Sequence, residues 1–285
     1  MKKIVIGLGE ILWDLLPSGK VLGGAPANFA YHASQLGFNG YTVSAIGSDL
    51  LGKEILNNLK EKKLNFLLEN VSFPTGTVVV TLDEKSIPQY EICEDVAWDN
   101  IPFTSQTEKL ARNCDAVCFG SLAQRNIVSR TTILKFLEIV PKNALKIFDI
   151  NLRQHYFSKE LIESSLNICN ILKLNEDEII IVNKLFGLDM SEEKACNKLR
   201  SNYNINIVIL TKGTAGSYIF HENGISFLPT PKVSVADTVG AGDAFTAAFT
   251  AAIMRGESIE KAHQLAVGVA AFVCTQHGAM PKLPY

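Results

Sequence analysis

The segment from Asp237 to Asp243 carries the residue types best suited to chemistry. It reads Asp-Thr-Val-Gly-Ala-Gly-Asp and is followed by an apolar, alanine-rich stretch over 244–254. Its two glycines, Gly240 and Gly242, let the backbone approach a ligand closely. The helix predicted after them directs free N–H groups and the positive end of its dipole to the same place. Such a place can hold the charge that develops on a transferring phosphoryl group.

Asp243 lies in the first turn of that predicted helix. A carboxylate is stabilised in its ionised form there, and it is then placed to accept a proton from a hydroxyl nucleophile. An ordinary helix start with an acidic first turn has the same spacing. The segment alone therefore leaves both interpretations open.

Two further glycine-containing segments are less suited to phosphate. The segment 7–9 begins like a dinucleotide fingerprint, but Leu12 occupies the position of the third glycine. The segment 47–54 matches a P-loop until Glu54, which stands where a Ser or Thr would hold magnesium and whose charge would repel phosphate. We therefore expect a strand end at the first segment and a turn before a helix at the second.

Polar residues follow three predicted strands at the point where each strand ends. They are Asp149 with Asn151, then Asn175, and then Thr211 in a Thr-Lys-Gly segment. Ligands of open α/β sheets collect outside the carboxyl ends of the strands. These residues are therefore predicted to lie on one ligand-binding edge.

Three charged residues near these strand ends have two interpretations each. Asp14 follows the first strand and is either a solvated loop residue or a hydrogen-bonding group. Arg153 follows the strand ending near 150 and would form either a surface ion pair or a ligand contact. Glu178 stands three residues after Asn175, a spacing typical of a helix capping box, and it could also hold a metal.

The elements that must position these residues alternate along the chain. Strands are predicted over 3–8, 41–46, 116–119, 145–150, 171–174 and 207–210, and helices over 26–36, 51–60, 129–139, 159–168, 191–201 and 265–274. This alternation predicts a mostly parallel sheet covered by helices. Two strands, 77–82 and 89–92, have no helix between them and are expected to form an inserted hairpin. The chain is thus predicted to be one large α/β domain with a small inserted β-hairpin.

Composition and charge narrow the class of protein. Hydrophobic residues make up 47% of the 285-residue chain, and 27 Lys and Arg balance 29 Asp and Glu to a net charge of -2. This balance argues against nucleic acid or an acidic membrane as the main partner. The apolar run over 4–9 is too short for an export signal, so the six cysteines are expected to be reduced and the protein cytoplasmic.

Three segments together resemble one family. Residues 237–243 resemble the D-T-x-G-A-G-D signature of the PfkB, or ribokinase-like, sugar kinases. Residues 23–28 resemble the family's G-G-x-x-x-N signature, and residues 47–52 its G-x-D-x-x-G segment. The resemblance runs along essentially the whole chain. It implies a single kinase domain over 1–285 with a three-layer α/β/α fold, a mostly parallel central sheet, and a small β-sheet lid built from about 11–23 and 73–100.

The resemblance also implies an activity, which is transfer of the γ-phosphate of ATP to a sugar hydroxyl. Asp243 would be the base, and the amides of Gly240, Ala241 and Gly242 would form an anion hole. The residues matching the family's sugar site, or the related D-x-N-x-R segment of hexose and keto-acid sugar kinases, are Asp14, Gly24, Asn28, Asn151 and Arg153.

The nucleotide side is implied in the same way. The matching ATP-binding residues are Asn175, Thr211, Gly213, Gly216 and Gly278. Glu178 would help to hold Mg²⁺ through water, and Asp237 leaves a K⁺ site open. Val267 departs from the family, where many relatives have Asn, so a specific adenine hydrogen bond is not expected there.

For the substrate we expect fructose, because segments 9–17 and 24–28 resemble fructokinases more than ribokinases or nucleoside kinases. The alternatives within the fold are 2-keto-3-deoxygluconate kinase, ribokinase, and a nucleoside or vitamin-precursor kinase. A non-catalytic sugar-binding regulator is an alternative of another class, although a binder has no need of a base at Asp243. The expected partners are a sugar and ATP, with no nucleic acid and no membrane, and the resemblance leaves open a homodimer through the lid.

Overall fold

A nine-stranded sheet forms the centre of the computed structural model, which describes residues 2–16, 19–82 and 88–284. Its strands are β1 (Ile4–Leu8), β4 (Asn39–Gly47), β5 (Asn65–Val71), β8 (Ala116–Phe119), β9 (Leu145–Asp149), β10 (Ile171–Asn175), β11 (Ile207–Thr211), β12 (Ser217–His221) and β13 (Gly224–Leu228). Across the sheet their order is β13-β12-β11-β10-β9-β8-β1-β4-β5. The strands from β11 to β5 are parallel, and β12 and β13 are added antiparallel at one edge.

Helices cover both faces of this sheet. They are α1 (Ala25–Gln35), α2 (Leu50–Glu61), α3 (Ser105–Arg112), α4 (Ile127–Ile139), α5 (Lys159–Leu166), α6 (Glu176–Leu185), α7 (Glu192–Asn202), α8 (Ala241–Met254) and α9 (Ile259–Cys274). One face carries α1, α2, α8 and α9, and the other carries α3 to α7. The expected three-layer α/β/α architecture with a mostly parallel sheet is therefore confirmed. Among the described helices, none is both long and apolar enough to cross a membrane.

Buried side chains alternate between the two faces along the central strands, because successive residues of a strand point to opposite sides. Phe119 and Phe148 stack on the α4 side with ring centroids 5.2 Å apart. Their neighbours Cys118 and Ile147 pack on the opposite side with α8 and α9. Strands that are buried on both faces read as continuous apolar runs, which is why these strands could be predicted from the sequence.

A second, four-stranded sheet stands beside the main one. Its strands are β2 (Leu12–Leu16), β3 (Gly19–Gly23), β6 (Thr77–Leu82) and β7 (Pro88–Ile92), in the order β3-β2-β6-β7. The predicted hairpin is confirmed, since β6 and β7 pair antiparallel with Val78 opposite Ile92. The polar turn expected between them, and residues 17 and 18 of the first lid segment, lie outside the described residues.

The sequence did not indicate β5 or β13 as strands. They are the two edges of the large sheet, and most of their side chains are partly or fully exposed. An edge strand has one neighbour and is not enclosed on both faces, so it carries no continuous apolar run. The sequence likewise did not indicate β12 or α3, and α9 begins six residues before its predicted start at 265. The bounds predicted for the remaining strands of the large sheet, and for α1, α2, α4, α5 and α7, lie within two residues of the observed ones.

A buried cation joins the small sheet to the large domain. Arg125 forms an ion pair with Asp99 at 2.8 Å, and both side chains are less than a tenth exposed. The guanidinium also donates to the backbone oxygen of Cys93, just after β7. Its carbon lies 4.1 Å from the ring centroid of Trp98 and 4.6 Å from that of Tyr156. The end of β7 is thus attached through Arg125 to the main body.

We predict that Asp99→Asn lowers the free energy of unfolding by about 3–5 kcal/mol, because it leaves the Arg125 guanidinium buried without a counter-charge. A matched control is Glu108→Gln, which breaks an exposed ion pair with Arg112 on one helix. It should cost no more than about 0.5 kcal/mol. Urea unfolding of both variants measures the difference, and equal losses would show that the Arg125 pair does not stabilise the fold.

Candidate active site

The residues predicted to do chemistry meet at the carboxyl edge of the large sheet. A recess there is lined by the segment after β1, the start of α1, the ends of β8 and β9, and α8. The chain passes from β1 to β4 on one side and later returns to β8 on the other, so β1 is the point at which the strand order reverses. Ligand crevices of open α/β sheets form at such a switch point.

The first turn of α8 has a backbone that glycine alone allows. Gly240 caps the helix with φ at 76°, the left-handed region, and a Cβ there would lie 2.6 Å from the Cβ of Ala279. The N–H of Ala241 donates to the carbonyl of Thr238 at 3.3 Å. Of the three predicted anion-hole amides, that of Ala241 therefore already has an internal acceptor. The free end of α8 still directs its dipole into the recess.

Ala279 forms a wall behind Gly240, and side chains of α1 hold this wall in place. The His32 Nε2–H donates to the carbonyl oxygen of Ala279 at 2.9 Å. Burial is the main reason that the pKa of His32 falls to about 4, so the ring is neutral. Gln35 adds two hydrogen bonds, to the carbonyl of Pro281 and from the N–H of Leu283.

Asp243, the predicted base, lies in the first turn of α8. Asn28 Nδ2 on α1 donates to its Oδ2 at 2.8 Å, which joins residues 215 positions apart. Loss of water around the carboxyl group, followed by repulsion from Asp149, raises the pKa of Asp243 to about 6. The Asn28 hydrogen bond and the cations of Lys173 and Arg153 oppose this rise. Asp243 is therefore ionised at neutral pH and close enough to its pKa to take up a proton.

Beneath α8 lies an ion pair that sequence reasoning did not identify. Lys173, in the middle of β10, holds Asp149 at the end of β9 at 3.0 Å, and both residues are buried. The second oxygen of Asp149 accepts from the Thr246 hydroxyl at 3.0 Å. Burial alone would lower the pKa of Lys173, but the carboxylates around it, Asp149 foremost, raise that pKa above its usual value. A Cβ on Gly242 would lie 3.1 Å from the ammonium nitrogen, so the glycine leaves room for the lysine.

The residues predicted to bind sugar lie around the same recess. Asp14 on β2 is half-buried, and burial raises the pKa of its carboxyl although Arg153 lowers it. Its carboxylate lies beside Gly23, where a Cβ would come within 2.5 Å of Oδ2. The next glycine, Gly24, has φ at 120° and precedes α1, which carries Asn28.

The loop after β9 brings Asn151 and Arg153 to the recess. Asn151 lines it with a left-handed φ of 45°. Arg153 is exposed and donates to the carbonyl of its neighbour Leu152 at 3.0 Å. Its positive charge lowers the pKa values of the Asp14 and Asp243 carboxyl groups.

The residues predicted to bind nucleotide lie at the ends of β10 and β11. Asn175 and Thr211 are partners in the parallel register of these strands. Gly213 and Gly216 follow in a tight turn with φ values of 47° and 120°. A Cβ on Gly216 would lie 2.5 Å from the carbonyl of Leu228, so this turn requires glycine. The structure thus brings these four residues to one strip of the sheet edge.

The spacing of Asn175 and Glu178 is compatible with a helix capping box and with a role in holding a metal. The capping box is formed, since Asn175 Oδ1 accepts from Glu178 N and Glu178 Oε2 from Asn175 N. The other oxygen, Oε1, accepts from Leu152 N at 2.9 Å. Each carboxylate oxygen retains a further acceptor position, which fits contact with metal-bound water better than direct ligation. Within the described ranges, no three ligating side chains gather as a ready metal cluster.

Asp237 and Gly278 are brought together as expected for neighbours. Gly278 N donates to Asp237 Oδ2 at 3.1 Å, and Val239 N donates to Oδ1 at 3.0 Å. The Asp237 carboxylate thus ties the turn before α8 to the segment after α9.

Sequence reasoning missed two residues, Lys173 and the buried Glu10 of the recess. A lysine inside an apolar strand and a glutamate directly after one were the signals that could have indicated them.

Comparison with known proteins places this geometry in context. The family described as pfkB family carbohydrate kinase matches residues 18–285. The ATP-dependent 6-phosphofructokinase of Thermoanaerobacterium thermosaccharolyticum is 29% identical over 98% of this chain and 90% of its own length. The fructokinase of Salmonella typhimurium is 26% identical over 98% and 95%. The solved sugar kinase PH1459 of Pyrococcus horikoshii is 25% identical and superposes over 98% of this chain and 94% of its own with a TM-score of 0.83. In complex with ATP it superposes with a TM-score of 0.80.

We predict that Asn28→Ala raises the pKa of Asp243 above its value of about 6, because the hydrogen bond from Asn28 stabilises the ionised carboxylate. Carboxyl ¹³C chemical shifts followed against pH measure this pKa directly. Asn126→Ala, which removes the N-cap of α4 outside the recess, is the matched control and should leave the pKa of Asp243 unchanged. An unchanged Asp243 titration in Asn28→Ala would contradict the assigned hydrogen bond.

Proposed function

The chain belongs to the pfkB family of carbohydrate kinases, and we propose that it transfers the γ-phosphate of ATP to a hydroxyl of free fructose. The observation that carries this proposal is the Asp243 carboxylate, held by Asn28 at the N-terminus of α8. A group that must accept a proton from an alcohol and a helix end suited to phosphate occupy one recess.

In the proposed reaction the sugar hydroxyl attacks the γ-phosphorus of ATP. A bond forms between the hydroxyl oxygen and phosphorus, and the bond from phosphorus to the β–γ bridging oxygen breaks, so that ADP leaves. The hydroxyl proton passes to the Asp243 carboxylate. Since this carboxyl has a pKa of about 6, the fraction able to accept the proton falls as the pH drops through that value.

The N-terminus of α8 acts on the group in transfer. Phosphoryl transfer depends on positioning and on stabilising charge spread over the equatorial oxygens. The first-turn amides of α8 and its dipole supply fixed positive potential there. Lys173 reaches the edge of this turn beside Gly242, while Asp149 compensates its charge. The lysine therefore positions the turn.

For ATP we propose the strip formed by Asn175, Thr211, Gly213 and Gly216, together with Gly278. Its support is the strand register and the side-chain-free turn described above. When bound, Mg²⁺ would neutralise charge on the phosphates. Glu178 would hold it through water, because both oxygens of Glu178 already accept backbone hydrogen bonds. Asp237 is proposed as a K⁺ ligand, because each of its oxygens accepts one backbone hydrogen bond and keeps one acceptor position.

The small sheet is proposed as a lid within a single kinase domain. Its first segment, about 11–23, joins the recess residues Glu10 and Ala25 and carries Asp14 on β2, and its second, about 73–100, pairs with the first through β6 and β2. A lid is needed because water would otherwise compete with the sugar for the phosphoryl group.

Fructose is proposed because hydrogen-bonding side chains surround the recess. Asp14 and Asn28 offer acceptors and a donor for hydroxyl groups, and a site that pairs them rejects analogues that leave those groups unpaired. The fructokinase of Salmonella typhimurium is a full-length relative. This agrees with the resemblance of segments 9–17 and 24–28.

A second candidate is an anionic sugar, and Arg153 is the observation that favours it. Its exposed guanidinium lowers the pKa values of Asp14 and Asp243, and no ion pair of this residue is present among the described side chains. A guanidinium suits a carboxylate or phosphate. The carboxylate of 2-keto-3-deoxygluconate, or a sugar phosphate such as the substrate named for the 29% identical relative, would supply that partner.

ADP release with ATP and a panel of fructose, ribose, 2-keto-3-deoxygluconate and fructose 6-phosphate tests the assignment. We expect the highest kcat/KM with fructose. A higher value with either anionic sugar would replace fructose by the second candidate, and a higher value with ribose would reject both. An Arg153→Ala variant distinguishes fructose from an anionic sugar as the substrate. Its kcat/KM should fall at least about tenfold only for an anionic sugar.

We predict that Asp243→Asn lowers kcat at least ~100-fold, because the amide cannot accept the hydroxyl proton. Affinities for sugar and ATP should change little. Steady-state kinetics with calorimetric binding measures both, and Glu163→Gln, a carboxylate-to-amide change on α5 outside the recess, is the matched control. Turnover near the wild-type value would remove Asp243 from the role of base.

A further inference from the structure

Glu10 lies at the junction of the two sheets and has no role so far. It follows β1, the strand at which the order of the large sheet reverses, and it precedes β2 of the small sheet. Its side chain lines the recess together with Asp149, Asn151 and Asp243. The glutamate therefore stands at the sugar end of the site rather than at the nucleotide strip.

The Glu10 carboxyl group is enclosed but incompletely bonded. The residue is 3% exposed, and its Oε2 has no hydrogen-bond partner among the described residues. Its backbone is fixed by Gly24, where a Cβ would lie 2.5 Å from the Glu10 carbonyl oxygen. A buried polar atom without a partner is costly, and a ligand atom that pairs with it recovers that cost.

Three carboxyl groups share the recess, and their partners differ. Asp149 has the ammonium of Lys173 and the hydroxyl of Thr246. Asp243 has the amide of Asn28. Among the residues that the structure describes, no side-chain donor takes this role for Glu10, and like charges in close proximity cannot all remain ionised. Of the three carboxyl groups, Glu10 is therefore the one that takes up a proton most readily.

On balance, the groups around Glu10 favour the protonated form of its carboxyl group. Burial, with repulsion from Asp243 on α8 and Asp149 on β9, raises the pKa of Glu10 to about 7, although its own backbone amide and Arg153 partly offset this. From β8, Cys118 faces the recess as a neutral thiol, because burial raises its pKa well above the usual value. The remaining lining residues carry no charge; they are Ala25, Pro26, Phe29, Phe119, Gly120 and Asn151.

Resting on the proposed function, we infer that Glu10 is a further substrate-binding residue whose protonated carboxyl donates a hydrogen bond to an oxygen of a neutral sugar. A sugar hydroxyl oxygen can accept from the carboxyl O–H while its own proton is donated elsewhere. Deprotonation would replace this donor by a third negative charge beside Asp149 and Asp243. Sugar binding should therefore weaken as the pH rises through neutrality.

Fructose binding without nucleotide, measured by calorimetry from pH 6 to pH 8.5, tests this role apart from turnover. With a pKa of about 7, the protonated fraction falls about tenfold between pH 6 and pH 8, so we expect the wild-type Kd to rise by about that factor. In Glu10→Gln the amide N–H donates at every pH. Its Kd should be independent of pH and within about threefold of the wild-type value at pH 6.

Two further variants complete the test. Glu10→Ala should bind fructose at least about tenfold more weakly than the wild type at pH 6, again without pH dependence. Glu163→Gln on α5, outside the recess, should keep the wild-type pH profile. Thermal unfolding shows which variants fold, and the near-isosteric Glu10→Gln keeps the test valid if Glu10→Ala does not.

The outcomes separate this inference from the proposed function. A wild-type Kd that is flat with pH, or that falls as the pH rises, overturns the protonated donor. The same pH dependence in Glu10→Gln as in the wild type also overturns it. Failure of the proposed function is recognised differently, as absence of ADP release with fructose in the wild-type enzyme. If another neutral sugar is phosphorylated instead, that sugar replaces fructose in the binding measurement.

Discussion

The sheet edge that carries the candidate site depends on compensation of negative charge by one buried lysine, Lys173. Lys173 brings an ammonium group into contact with Asp149 between the ends of two central strands. Without it, the carboxyl groups converging on the recess would repel one another in surroundings that screen charge weakly. Thr246 links the same pair to α8, so charge compensation and the position of the helix start are coupled. The protein can therefore place several carboxyl groups around the recess and still fold.

Much of the fold could be predicted from the sequence, because parallel strands that are buried on both faces are nearly continuous apolar runs. The start of α8 and the Asp243–Asn28 neighbourhood could be expected from the resemblance of two separated segments to one family. The hydrogen bond between them could not, since it depends on how α1 and α8 pack. The edge strands β5 and β13 escaped prediction because their exposed residues have no such pattern.

Lys173 and Glu10 illustrate the remaining limit. Each is one charged residue within or beside an apolar strand, and the sequence does not say which face of the sheet it occupies or which partner it meets. The lysine meets a carboxylate from a neighbouring strand, whereas the Oε2 of the glutamate meets none within the described structure. The same type of sequence signal thus leads to a compensated charge in one case and to an unpaired acid in the other. Only the three-dimensional arrangement separates them.

The wall behind Gly240 has a consequence for the order of assembly during synthesis. Ala279, which confines the first turn of α8, is held by His32 from α1, so three regions distant in the chain meet at this point. A chain growing on the ribosome completes α1 early and α8 later, but Ala279 emerges only after α9. The first turn of α8 therefore gains its supporting wall among the last contacts to form. A nascent chain can bury most of its core before it can offer a rigid site to a phosphoryl group.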